Sequence, residues 1–94
     1  MIKKTIDLTD CKYLMELHER IKKGLNLDDG YGSNWSAFWD EINRNTKCDL
    51  IIVKGAETVS KDLKGSVEKM RKILERNKQD WAHSSCPVDY KFVD

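Results

Sequence analysis

One short run, Leu50-Ile51-Ile52-Val53, constrains the architecture of this chain more than any other stretch. Three of its four residues are β-branched and none is polar. A half-exposed strand would alternate apolar with polar residues. A continuous apolar run suits a strand covered on both faces, as in a parallel sheet. Gly55 ends it. Parallel neighbours must be joined by long crossovers, usually helical.

The flanking sequence supplies both neighbours and crossovers. Residues 2–8 alternate loosely through Ile2, Ile6 and Leu8, which predicts a first strand. Residues 12–23 place Leu14, Leu17, His18, Ile21 and then Leu25 at i, i+3, i+4, i+7 and i+11, the stripe of an amphipathic helix. Gly24 falls near its end, where a left-handed cap is common. Residues 26–33 read as a loop, with Asp28, Asp29, Gly30 and Gly32 supplying turn chemistry. Asn34 is a good N-cap for a second helix to about Thr46, striped by Trp35, Phe38, Trp39 and Ile42. Residues 57–64 predict a short helix and Ser66 to about Asp80 a longer one, with Val67, Met70, Ile73, Leu74 and Trp81 on one side. Residues 82–87 form a loop, and Val88, Tyr90 and Phe92 alternate as a last strand. The order β-α-α-β-α-α-β predicts an α/β fold: a three-stranded parallel sheet packed with about four helices, joined by right-handed connections. At 94 residues the chain has room for a single domain, 1–94.

Composition narrows the function. No stretch of 18 apolar residues occurs, so no membrane span is expected, and Met1 to Asp7 lacks the apolar core of a secretory signal. Cys11, Cys48 and Cys86 form no close pair and read as free thiols in a reducing cytoplasm. His18 lies on the apolar stripe, where a histidine is usually packed and hydrogen-bonded. His83 has only Ser84, Ser85 and Cys86 beside it, which is no nucleophile–base–orienter set. Glycine-rich phosphate loops and zinc spacings are both missing. Neither an enzyme nor a cofactor is expected.

Charge is unevenly placed. The net value is +1, yet no basic residue occurs between Lys23 and Arg44, a window that holds Asp28, Asp29, Asp40 and Glu41. Such an acidic patch on a basic background favours a cationic partner. Residues 61–78 are the opposite, with Lys61, Lys64, Lys69, Arg71, Lys72, Arg76 and Lys78 among Asp62, Glu68 and Glu75. These bases could form an RNA-binding surface. Interleaved acids and the lack of aromatic residues among them favour an ordinary solvated helix face.

The segment from Asp28 to Asp40 joins a glycine-flexed loop to a capped helix rich in aromatics. Phe38 and Ile42 suit the core. Trp35 and Trp39 are large enough to be half buried beside an exposed rim, and Tyr and Trp are typical anchors of protein–protein contacts. Asp40 points about 100° away from Trp39 around the helix. It is expected to be exposed, with no cation lying near to neutralise it.

These residues carry a family likeness. Tyr31-Gly32-x-Asn34-x-x-x-x-Trp39-Asp40 resembles the core motif of the barstar family, Tyr-Gly-Glu-Asn-Leu-Asp-Ala-Leu-Trp-Asp. Glu16-Leu17-His18 and Lys22-Lys23-x-Leu25 lie at matching distances upstream, and the later strands and helices follow in the same order. The resemblance implies a barstar-like fold and an intracellular inhibitor of a barnase-like ribonuclease, probed through the loop and helix of residues 27–46. It implies that Asp40 occupies a substrate-phosphate position among the enzyme's arginines and histidine. Tyr31, Asn34, Ser36, Trp39, Asn43 and Asp80 fall at or beside the family's contact positions. Ser36 and Asn43 depart from the family's aspartate and threonine, and Gly30 from a tyrosine. A further contact glutamate aligns with either Glu75 or Arg76. The expected partner is thus an extracellular ribonuclease or related toxin, met by a monomer, without nucleic acid or membrane. An immunity protein against a different toxin, and an RNA-binding module using residues 61–78, are the alternatives.

Overall fold

A computed structural model of the chain describes residues 2–45, 49–85 and 87–93. Strand β1 (Lys3–Asp7) leads into helix α1 (Leu14–Leu25). Helix α2 (Trp35–Asp40) runs on into a π-helical turn, Glu41–Asn45. Strand β2 (Leu50–Lys54) is followed by two 3-10 turns, Ala56–Thr58 and Lys61–Leu63. The long helix α3 (Lys64–Trp81) precedes strand β3 (Asp89–Val93). The strands form one parallel sheet in the order β1-β2-β3, with Ile6 opposite Val53 and Val53 opposite Phe92. The apolar run at 50–53 is therefore the central strand, paired on both edges.

The helix count differs from expectation. Three α-helices are present among the described residues, and the helix expected at 57–64 is replaced by the two 3-10 turns. The cause is local. Gly55 adopts φ 73°, Thr58 Oγ1 donates to the Gly55 carbonyl, and Val59 and Ser60 are extended, so no helical turn propagates through them. The expected end of the second helix, Thr46, lies outside the described residues, as do Cys48 and Cys86.

Nor is the sheet covered on both faces. Ile6, Ile51 and Val53 are fully buried on the face that meets the helices. Leu50 and Ile52, on the other face of β2, are only half-buried, and their register partners Lys3, Thr5, Asp89 and Lys91 are exposed. Side chains of a strand alternate between faces, so one face of this small sheet stays open.

One core joins the layers. Leu17, Ile21 and Leu25 of α1, Phe38 of α2, Ile42 of the π turn, and Val67, Met70 and Leu74 of α3 pack in a single cluster with Ile6, Ile51 and Val53. Gly24 does not cap α1. It lies inside the helix, where a Cβ would collide with the Thr5 carbonyl oxygen and sit 2.9 Å from Ile6 Cα. The left-handed cap falls to Asn26, at φ 56°, whose N–H donates to the carbonyls of Lys22 and Lys23. The missing side chain at position 24 thus lets α1 lie directly on β1. No described helix is long and apolar enough to cross a membrane.

Candidate partner-binding site

The loop before α2 is anchored from the core. Tyr31 is buried, and its hydroxyl lies 2.8 Å from Nδ1 of His18, itself 1% exposed. Burial lowers the pKa of His18 and raises that of Tyr31, the latter with a smaller push from the Glu41 charge. The Trp35 ring stacks on His18 at 4.8 Å, tilted by 54°, and meets Phe38 edge-on at 5.8 Å. His18 is therefore the packed, bonded residue expected from its place on the stripe. Tyr31, placed among the contact candidates, turns its side chain inward and sets the path of the loop.

Asn34 caps α2: its Oδ1 accepts from Ala37 N–H at 2.8 Å, and its Nδ2 donates to the Gly32 carbonyl. With both ends of its amide used locally, Asn34 fixes the start of the helix. From there Phe38 falls into the core, Trp39 is half-buried, and Ser36 and Asp40 are exposed. This is the division expected from helical spacing.

Asn43 has a different position. Its Nδ2 donates to the Trp39 carbonyl, while its Oδ1 accepts from Asn77 Nδ2 and Trp81 Nε1, each at 3.0 Å. It clamps the α2 segment to α3. Asn77 is 1% exposed and would otherwise be a costly buried amide. Sequence reasoning named neither Asn77 nor its partnership with Asn43. The signal was there, since Asn77 continues the spacing of Val67, Met70 and Leu74 as the stripe's one polar member.

Between α2 and α3 lies a groove of about 600 Å³, lined by Trp35, Ser36, Trp39 and Asp40 on one wall and by Lys72, Ile73 and Arg76 on the other. The Arg76 guanidinium sits 5.4 Å from the centre of the Trp39 ring. Arg76 also reaches Asp80, but only at 3.9 Å and with both side chains largely exposed. Asp80 stands on α3 one turn from Arg76, beside the groove rather than in its lining. The groove overturns the expectation that Asp40 has no cation in its neighbourhood, because the fold brings Lys72 and Arg76 to the facing wall. Folding also reduces the acidity read from the 24–43 window, since Lys22 pairs with Asp29 at 2.8 Å. Neither Lys72 nor Arg76 forms an ion pair with Asp40.

Most of the bases at 61–78 have intramolecular partners. Arg71 lies 3.9 Å over the Phe92 ring and pairs with Glu68. Lys78 pairs with Asp89 at 3.1 Å, and Lys64 donates to the Glu57 carbonyl. His83 is exposed in the turn after α3. Among the described residues, no three His, Cys, Asp or Glu side chains gather as a metal site.

Fold and groove together define a class: a small α/β domain with a three-stranded parallel sheet and a groove between two helices, with Trp35 and Trp39 in its lining. A family model described as barstar, the barnase inhibitor, matches residues 1–92. The chain belongs to the barstar family, whose members are inhibitors. Comparison with curated proteins returned no match.

Proposed function

We propose that this chain inhibits a barnase-like ribonuclease by seating the loop and helix of residues 27–46 over the enzyme's active site. The family match over residues 1–92 carries this reading. Asp40 is the central group. Its carboxylate projects from the end of α2, beside the half-buried indole of Trp39. Set among an enzyme's arginines and histidine, it would accept strong charge-assisted hydrogen bonds in the place of a substrate phosphate. Ser36, on the same helix, and Asp80, beside the groove on α3, add exposed polar contacts. Tyr31 and Asn43 act from behind, by fixing the loop and the distance of α2 from α3, while the exposed Asn34 fixes the start of α2.

The protein acts as a monomer in the cytoplasm of the producing cell and needs no cofactor. The free, buried thiol of Cys11 is consistent with a reducing compartment. An RNA-binding role for residues 61–78 is the weaker reading, because Lys64, Arg71 and Lys78 are already held by the protein's own groups. Immunity against a different toxin would use the same face. The experiment is an inhibition assay: the ribonuclease activity of barnase titrated with the wild-type protein and with Asp40→Ala. Inhibition that disappears in the variant supports the proposal, and equal inhibition by both proteins rejects Asp40 as its centre.

A further inference from the structure

We propose that Lys72 and Arg76 are specificity-determining residues, which reserve the groove for an enzyme that carries a carboxylate beside its cationic active site. The inference rests on the inhibitor reading above and names the chemistry of the partner.

Asp40 and the pair Lys72 and Arg76 line opposite walls of one groove. Among the described residues, no ion pair crosses between these walls. Lys72 has no carboxylate partner among those residues, and Arg76 is held only by the long, exposed contact to Asp80. The groove therefore offers both signs of charge to whatever enters it. A uniformly cationic face drawn to Asp40 would bring its own cations against Lys72 and Arg76, and like charges brought together at an interface oppose binding.

A face that sets a carboxylate next to its cations meets no such opposition. That carboxylate would lie beside Trp39, within reach of the Arg76 guanidinium, whose planar fork suits bidentate binding. Lys72 would add a point charge from one turn earlier on α3. The same two residues thus reward one partner and penalise another, which is how specificity is built.

The test measures the dissociation constant for barnase by calorimetry. The proteins are the wild type, Lys72→Glu/Arg76→Glu, the neutral Lys72→Gln/Arg76→Gln, and each of these with Asp40→Ala. Both side chains are exposed, and matched thermal melts verify that the variants fold. The proposal expects the charge-reversed variant to bind barnase about tenfold or more tightly than the wild type, with the neutral variant between them. It expects the gain to shrink at high salt. Unchanged or weaker binding by both double variants, with Asp40→Ala still abolishing binding, overturns this inference and leaves the inhibitor reading standing. Absence of binding by the wild type and by every variant overturns both.

Discussion

Asn43 and Asn77 face each other across the joint between α2 and α3, with the Asn77 amide donating to the Asn43 side-chain oxygen at 3.0 Å. Trp81 donates to the same oxygen from the end of α3. One side chain thus satisfies two donors and sets the spacing of the helices whose walls make the groove. A contact of this kind serves the site without touching a partner.

Asn43→Ala should therefore destabilise the protein by about 1–3 kcal/mol, the cost of leaving buried donors unpaired. Urea denaturation of the single variants Asn43→Ala and Asn77→Ala, and of the double variant, would expose the coupling. The double variant is expected to lose clearly less than the sum of the two. Strict additivity would mean that the bond contributes nothing.

The pH dependence of stability should carry the signature of His18. Burial holds its pKa below the ordinary value of 6.5, so the folded state favours the neutral ring. Between the lowered and the ordinary value, the unfolded chain binds more protons than the native one. Stability is then fully present above about pH 6.5 and is lost as pH falls through that window toward the folded pKa. The carboxylates of Asp7, Asp29, Glu75 and Asp89 are lowered by hydrogen bonds and cations, so their contributions persist to more acidic pH and fade only below about pH 4. Urea midpoints at pH 7.5, 6.5 and 5.5 should fall with pH in the wild type and stay nearly level in His18→Gln. A slope that persists in the variant would assign the effect to another group.

Gly24→Ala tests the contact between α1 and β1. In a free helix, alanine would be favoured over glycine by about 1 kcal/mol. Here the added Cβ meets the backbone of Thr5 and Ile6, which no side-chain rotation relieves. Net destabilisation is expected, read as a lower thermal midpoint. A raised midpoint would show that the strand and helix separate easily.

Much of this architecture was legible in the chain itself. Periodicity located α1 and α3 closely, and the apolar run at 50–53 correctly implied a strand of a parallel sheet. The split of α2 into buried Phe38 and exposed Asp40 followed from helical geometry alone. What local pattern cannot carry is contact between distant segments. Gly24 read as a cap because its true constraint, the Thr5 backbone, lies nineteen positions earlier. Asp40 read as isolated because Lys72 and Arg76 reach its groove only through the tertiary fold. A run of β-branched residues fits a strand with one open face as well as one covered twice, and three strands with three helices leave a face open.

The central claim, that this chain blocks a ribonuclease through Asp40, is tested most directly by titrating barnase activity with the wild-type protein and with Asp40→Ala. Removing one member of a desolvated charge pair costs about 3–5 kcal/mol, which is roughly a hundredfold to several thousandfold in affinity. The account predicts dose-dependent inhibition by the wild type and its loss in Asp40→Ala, with thermal midpoints that hardly differ because the side chain is exposed. Undiminished inhibition by Asp40→Ala, or none by the wild type, would contradict it.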